Sequence, residues 1–516
     1  MSDPVADTTL GKVRGTEVRG IRVFKGIPYG APTDGANRCR PPRRAEPWTG
    51  VRDSLAFGPS SPQMMGPAMG ASTMPRPARM DLFGLSDPPD IDQSEDCLVL
   101  NVWTPGVADG AERPVLFRIH GGGFGAGSGS WNWHDGTNLA LRGDVVVVTV
   151  NHRLSPLGYV YLDELGGPEW AGAGNAGMLD LVLALEWVRD NAEAFGGNPD
   201  CVMIFGESGG AAKVSTLLAM PAAAGLFHRA VVQSGAVRDV KTPEEATGFA
   251  ERYLTELGIA PDQLDRLGDL PMQQCLDAHM TLAQNEGGFQ MAMMMMWPVA
   301  DGHVLPAQPG DAMLAGASST IPLLIGYTRH ELFMAQAPED LPDLDDAGLR
   351  AMVTSLVPDR VDEVIDTFRR TNPGASPVEL AAVISTQAGS GMATMELARR
   401  KLAGSTAPVY SYMLTWRSPV APELGSPHGM CVPLTMDNIH SAQWSNVPEA
   451  QPLADRMSQA WINFGTSGDP SHADLPKWAP YSLDERATMM FDDPCAAVDD
   501  PFGEERAILQ ELLGYE

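Results

Sequence analysis

The sequence predicts an α/β protein built on a large, mostly parallel sheet covered by helices, and three observations carry that reading. Residues 114–119 and 145–150 are short, nearly continuous apolar runs, the pattern of strands buried on both faces. Residues 178–194 predict an amphipathic helix, with Leu179, Val182, Leu183, Leu185 and Val188 repeating at helical spacing, and Gly196-Gly197 closes the segment. Strand-like runs at 200–205 and 229–233 then alternate with helix-like ones, the order that gives parallel strands joined by helical crossovers.

Around that centre the chain falls into order. Residues 8–30 read as small, turn-rich strands. Residues 58–86, rich in Met, Pro and Gly, carry neither a helical nor a strand period and predict a long surface loop, of the kind that forms lids or pocket walls. Residues 242–282 and 343–403 read as helical excursions, and short strands return at 322–326 and 408–414. No internal repeat and no linker divides the sequence, so residues 1–516 are read as one large domain.

Composition narrows the partners. The chain carries 36 Lys and Arg against 65 Asp and Glu, a formal net charge of −29. Such a surface repels nucleic acid and anionic membrane and favours solubility. No apolar stretch is long enough to span a bilayer, and the first residues lack the basic and apolar regions of a secretory signal. The six cysteines (Cys39, Cys97, Cys201, Cys275, Cys431, Cys495) are scattered without a Cys-x-x-Cys pair. They read as small buried hydrophobes in a reducing cytoplasm rather than as a disulfide framework or a zinc site. A monomer or small homo-oligomer is expected.

The chemistry starts at Gly206-Glu207-Ser208-Gly209-Gly210, set between the strand-like run 200–205 and a helix-like run from Ala211. Strand, Gly-x-Ser-x-Gly, helix is the context of a nucleophile elbow: a turn so sharp that small neighbours are required, lifting the Ser208 hydroxyl above the sheet. A serine needs a base in reach and an acid to orient that base, and with this elbow the chain order is serine, acid, histidine. His428, in a turn-forming loop after the strand at 408–414, is the leading base, with His440 in reserve. Glu331, after the strand at 322–326, is the best-placed acid. His330-Glu331 does not open a zinc motif, because the second histidine of His-Glu-x-x-His is replaced by Met334. No metal and no cofactor is expected.

An attacked carbonyl also needs donors for its oxyanion. His120-Gly121-Gly122-Gly123-Phe124 follows the strand at 114–119 and supplies a glycine-rich loop whose backbone approaches a substrate unobstructed. The expected donors are the N–H groups of Gly122, Gly123 and Gly209. A phosphate-cradling role for this loop is set aside, since no Gly-x-x-x-x-Gly-Lys occurs and residues 121–129 contain no basic partner.

These segments, together with Phe24-Lys25-Gly26-Ile27-Pro28-Tyr29, Ser94-Glu95-Asp96-Cys97-Leu98, Asn151-His152-Arg153-Leu154 and Phe464-Gly465-Thr466-Ser467-Gly468-Asp469-Pro470, occur in an order that resembles the type-B carboxylesterase and cholinesterase family of α/β-hydrolases across nearly the whole chain. The resemblance implies an α/β-hydrolase fold, with Ser208 as nucleophile, Glu331 as acid and His428 as base. It also implies Glu207 as a carboxylate that helps hold the imidazolium, and Arg38 with Glu95 as a structural ion pair. Two positions depart from the family pattern. Ser61 stands where Cys97 would find a disulfide partner, and Cys431 and Leu434 stand where an acidic and an aromatic residue usually follow the histidine.

The expected activity is hydrolysis of small to medium apolar or aryl esters through an acyl-enzyme. Met294, Met295 and Met296, with Phe124, Trp131 and Trp133, are candidates for a flexible, polarizable pocket wall, against the plainer reading that methionine fills irregular core. Lipase or amidase action on the same triad, and a catalytically silent binding relative, are the alternatives.

Overall fold

The computed structural model describes residues 3–63, 92–286, 291–292, 295–331 and 344–515. Most of the predicted 58–86 loop and Met294 lie outside these residues. Fourteen strands are described: β1 (Val5–Thr8), β2 (Gly11–Arg14), β3 (Thr16–Val18), β4 (Ile21–Pro28), β5 (Val51–Asp53), β6 (Val99–Thr104), β7 (Arg113–Ile119), β8 (Val146–Val150), β9 (Gly197–Glu207), β10 (Arg229–Gln233), β11 (Leu323–Thr328), β12 (Val409–Leu414), β13 (Ala487–Phe491) and β14 (Ala496–Asp499).

Among the described residues, eleven of these strands form one sheet in the order β14-β13-β12-β11-β10-β9-β7-β8-β6-β4-β3, and β1-β2-β5 form a small separate one. Every neighbouring pair from β8 to β13 is parallel. The antiparallel pairs are confined to the two flanks. The continuous apolar runs are the reason: β6, β8, β11 and β12 are buried at every position, as strands covered on both faces must be.

The strand order places the site. After β7 the chain crosses to β8 on one side, then returns to lay β9 on the other. Loops leaving the carboxyl ends of β7 and β9 therefore diverge, and a crevice opens at this switch point. The glycine loop leaves β7 there, and Ser208 follows β9.

One prediction needs revising. The segment read as an amphipathic helix is the helix Ala176–Asn191, and 12 of its 16 residues are buried. Only a narrow stripe, Leu179, Glu186, Arg189 and Asp190, reaches solvent, and the wholly buried charge, Asp180, is paired. Asp180 accepts from Arg153 Nη2 at 2.6 Å, and neither side chain is exposed beyond 1%. The same carboxylate takes the Arg153 backbone N–H at 2.9 Å, so it pins the segment after β8 to this helix. Arg38 and Glu95 form a second buried pair, bidentate at 2.7 and 2.5 Å, as the resemblance implied. Cys97 and Ser61 are both buried, and the Ser61 hydroxyl accepts the Leu154 N–H at 3.1 Å. Four of the six free cysteines are buried, while Cys201 and Cys495 are half-buried.

Removing one partner from a buried pair leaves an uncompensated charge. Asp180→Asn is expected to lower unfolding free energy by about 3–5 kcal/mol, measured by denaturant titration, with a native-like spectrum before the transition.

Candidate active site

At the end of β9 the backbone of Ser208 takes φ 57° and ψ −125°, a region L residues rarely occupy. Close packing holds it there. The Ser208 N–H donates to the Gln233 carbonyl of β10 at 2.8 Å. A Cβ on Gly206 would lie 2.3 Å from the Gly210 carbonyl carbon, and one on Gly210 would lie 2.3 Å from the Ile119 oxygen. The motif glycines are therefore required by backbone-to-backbone contact. The elbow helix Gly209–Leu217 starts immediately, so the Gly209 N–H is one of the first-turn donors that no intrahelical carbonyl can satisfy.

The glycine loop presses against this turn. A Cβ on Gly121 would sit 3.5 Å from Ser208 Cβ, and one on Gly209 would sit 2.2 Å from the Gly123 oxygen. Gly122 and Gly123 both have positive φ, 93° and 60°. Their N–H groups have no protein acceptor among the described residues. The Gly209 and Gly123 backbones thus touch beside Ser208, with Gly122 next along the loop, where an oxyanion would form.

Glu331 and His428 arrive from the carboxyl ends of β11 and β12. His428 Nδ1 is hydrogen-bonded to Glu331 Oε2. The other Glu331 oxygen accepts the Thr328 N–H at 3.0 Å, and the Glu331 N–H donates to Thr386 Oγ1 at 2.9 Å. His330 joins the two loops. Its N–H donates to the Ser426 carbonyl, and its Nδ1 accepts the Ser426 N–H, both at 3.0 Å. That pairing explains the histidine beside Glu331 without any metal. His440 is exposed and bonded to Asn446, so the reserve base stands apart from Glu331.

Glu207 is buried at the end of β9, with Oε1 3.3 Å from His428 Nε2. It belongs to the strand rather than to the start of the helix. Burial opposes a charged imidazole, but Glu207 and then Glu331 outweigh it and raise His428 to about 9. Burial likewise raises Glu207, while His428 and Arg118 act to keep it ionised. Arg118, fully buried on β7, donates to Gln233 Oε1 at 3.0 Å, and Gln233 Nε2 donates to Cys431 Sγ at 3.4 Å. Burial, then Glu207, pushes the Cys431 thiol well up, so this position stays neutral.

Lys213, Arg118, Gln233, His330 and Thr386 escaped sequence reasoning. Lys213 corrects one expectation directly: the glycine loop does have a basic partner, which comes from the elbow helix and donates to the Gly123 carbonyl at 2.7 Å. Among the pocket candidates, Phe124 is fully buried, its ring 4.9 Å from Trp297. Trp131 is half-buried and 5.8 Å from the Trp133 ring. Met295 and Met296 are buried at 4% and 1% within the main core, the core-filling arrangement.

The profile of the carboxylesterase family matches residues 2–507. The chain is 34% identical over 512 residues to the para-nitrobenzyl esterase of Bacillus subtilis (strain 168), covering 98% of each. It is 33% identical to the phenmedipham hydrolase of Pseudarthrobacter oxydans, covering 96% of each. Among solved structures it is similar to the Geobacillus stearothermophilus carboxylesterase EST55, with 37% identity and a TM-score of 0.82 over 98% of this chain and 100% of that one.

A base must be neutral to accept a proton, so if His428 is the base, activity is expected to climb with pH as it loses its own. Glu207→Gln removes one of the two carboxylates that favour the imidazolium. The acid limb of the kcat/KM profile is expected to move to lower pH in this variant, and a limb that stays put or moves upward would contradict the electrostatic assignment.

Proposed function

The chain belongs to the carboxylesterase family and is a carboxylic-ester hydrolase, and from that premise we propose that Ser208, His428 and Glu331 perform the reaction on small to medium apolar or aryl esters. The hydrogen bond from His428 to Glu331, beside the strained Ser208 turn, is the observation that carries this reading.

His428 Nε2 takes the Ser208 proton as Oγ attacks the ester carbonyl, while Glu331 keeps Nδ1 protonated and the ring in place. The carbonyl π electrons move to oxygen, and the N–H groups of Gly122, Gly123 and Gly209 receive the oxyanion. As the tetrahedral adduct collapses, the imidazolium protonates the leaving alkoxide and an acyl-Ser208 ester remains. Water, deprotonated by the same imidazole, attacks that ester, and the second collapse returns the proton to Ser208 with release of the acid. Glu207 stabilises the imidazolium formed in each half.

The apolar or aryl preference is supported by the aromatic surroundings of the glycine loop, Phe124 with Trp297, and by the aromatic group in the name of the para-nitrobenzyl esterase. Among the described residues, no helix is long and apolar enough to cross a membrane. Six free thiols favour a reducing compartment, and we assign the cytoplasm on that basis.

Ser208→Ala is expected to reduce hydrolysis of para-nitrophenyl acetate by at least about 10⁴-fold with an unchanged melting temperature. An organophosphonate is expected to label one residue, found by mass spectrometry at Ser208, and a label elsewhere would reject the nucleophile.

A panel of para-nitrophenyl esters should show rates highest for short and medium acyl chains and low for the matching anilides. Highest rates on emulsified long-chain esters would favour a lipase, and comparable anilide rates an amidase.

A further inference from the structure

The carbonyl groups of the glycine loop are tied down one by one. The Gly121 oxygen meets His120 Nδ1 at 2.9 Å, and the Gly122 oxygen accepts the Ala126 N–H at 3.0 Å. Ser155 takes the next pair, its N–H donating to the Phe124 oxygen at 2.8 Å and its Oγ to the Gly125 oxygen at 3.1 Å. Each of these donors comes from the loop itself or from the segment after β8. The Gly123 oxygen differs, because its donor is Lys213 Nζ at 2.7 Å, from the helix that begins at Gly209.

Lys213 is fully buried, and among the described residues no carboxylate pairs with it. Its ammonium end lies 4.9 Å from the Phe124 ring. Burying a lysine with a single carbonyl acceptor is costly, and burial lowers it to about 7. Its neighbours His120 and His152, stacked at 4.6 Å, are held neutral chiefly by the same burial. An apolar residue would suit these surroundings better if packing were the whole requirement. What the lysine adds is a tie between two parts of one site. The Gly122 and Gly123 donors stand on the loop, while the Gly209 donor stands on the elbow, and Lys213 spans from the second to the first.

We propose that Lys213 is a positioning residue for the oxyanion hole, holding the Gly123 carbonyl from the elbow helix so that the N–H groups of Gly122, Gly123 and Gly209 stay aimed at one point. The proposal rests on the assignment of Ser208 and these three donors. The bond orients the Gly123 backbone without touching substrate, so its contribution is to the transition state rather than to ester binding.

Lys213→Met keeps the length of the side chain and removes the donor. The variant is expected to keep its melting temperature within a few degrees and its KM within about 2-fold, while kcat falls roughly 10- to 100-fold, as for a displaced or lost oxyanion donor. A trifluoromethyl ketone that adds to Ser208 as a tetrahedral oxyanion should lose affinity by the same factor. Lys213→Gln, which retains an N–H donor, should recover part of both losses, and it carries the test if the Met variant does not fold. Wild-type kcat in either folded variant, a loss confined to KM, or a fall in kcat without weaker ketone binding would overturn the proposal. Phosphonate labelling of the wild-type protein separates the premises: no label at Ser208 removes the catalytic reading itself, whereas a label at Ser208 with unchanged Lys213 variants removes this proposal alone.

Discussion

The backbone of Ser208 is held where a serine does not go by choice, and the rest of the site follows from that constraint. A residue at φ 57° and ψ −125° costs of order 1–3 kcal/mol. It persists because the Gln233 carbonyl captures its N–H, and because Gly206, Gly209 and Gly210 let three backbone segments come within contact of one another. Relaxing the turn would withdraw the hydroxyl into the sheet and carry Gly209 away from Gly123. Ser208 and the proposed oxyanion donors are thus fixed by the same piece of strain, and the buried carboxyl-terminal halves of β7 and β9 resist its release.

A second balance sets the protonation of the base. His428 is enclosed, which alone would keep it neutral, yet two carboxylates face its two ring nitrogens. A third acid at position 431 would add to that negative field, but the residue there is Cys431, a thiol that burial keeps protonated. Arg118, one strand away, supplies positive charge against Glu207. Arg118 thus offsets Glu207, while the neutral thiol at 431 adds no charge to the pair of carboxylates. Arg118 and Cys431 meet through one side chain, Gln233, which hydrogen-bonds to both.

The parts legible in the sequence were those with a local signal. Apolar runs located β7, β8, β10 and β12 to within a residue, and the elbow, glycine loop, Glu331 and His428 each announced themselves by a short motif in chain order. The helix Ala176–Asn191 was found but misjudged as amphipathic, since periodicity over a few residues cannot tell a covered face from a solvated one. What stayed hidden were the ties between residues far apart in the chain that no motif marks. Nothing near the glycine loop indicates Lys213, 90 positions beyond Gly123. Thr386 reaches Glu331 from a helical excursion that read only as helix. His330 looked like half of a metal motif, whereas its backbone and ring both pair with Ser426.

These long-range ties divide the site into two assemblies. Ser208, Gly209 and the glycine loop form one, fastened by glycine contacts and by Lys213. Glu331 and His428 form the other, fastened by the His330–Ser426 pairing and by Thr386. The first stands on β7 and β9, the second on β11 and β12, with β10 between them. They meet where Glu207, chained to the nucleophile, lies 3.3 Å from the imidazole of the second. A carboxylate at that junction does more than adjust a pKa. In the proposed mechanism, proton transfer from Ser208 makes the imidazole cationic, so the attraction between the assemblies rises during reaction, when Ser208 and His428 must remain in register. An uncharged residue there would leave the two assemblies aligned by packing alone at the step where displacement is most costly.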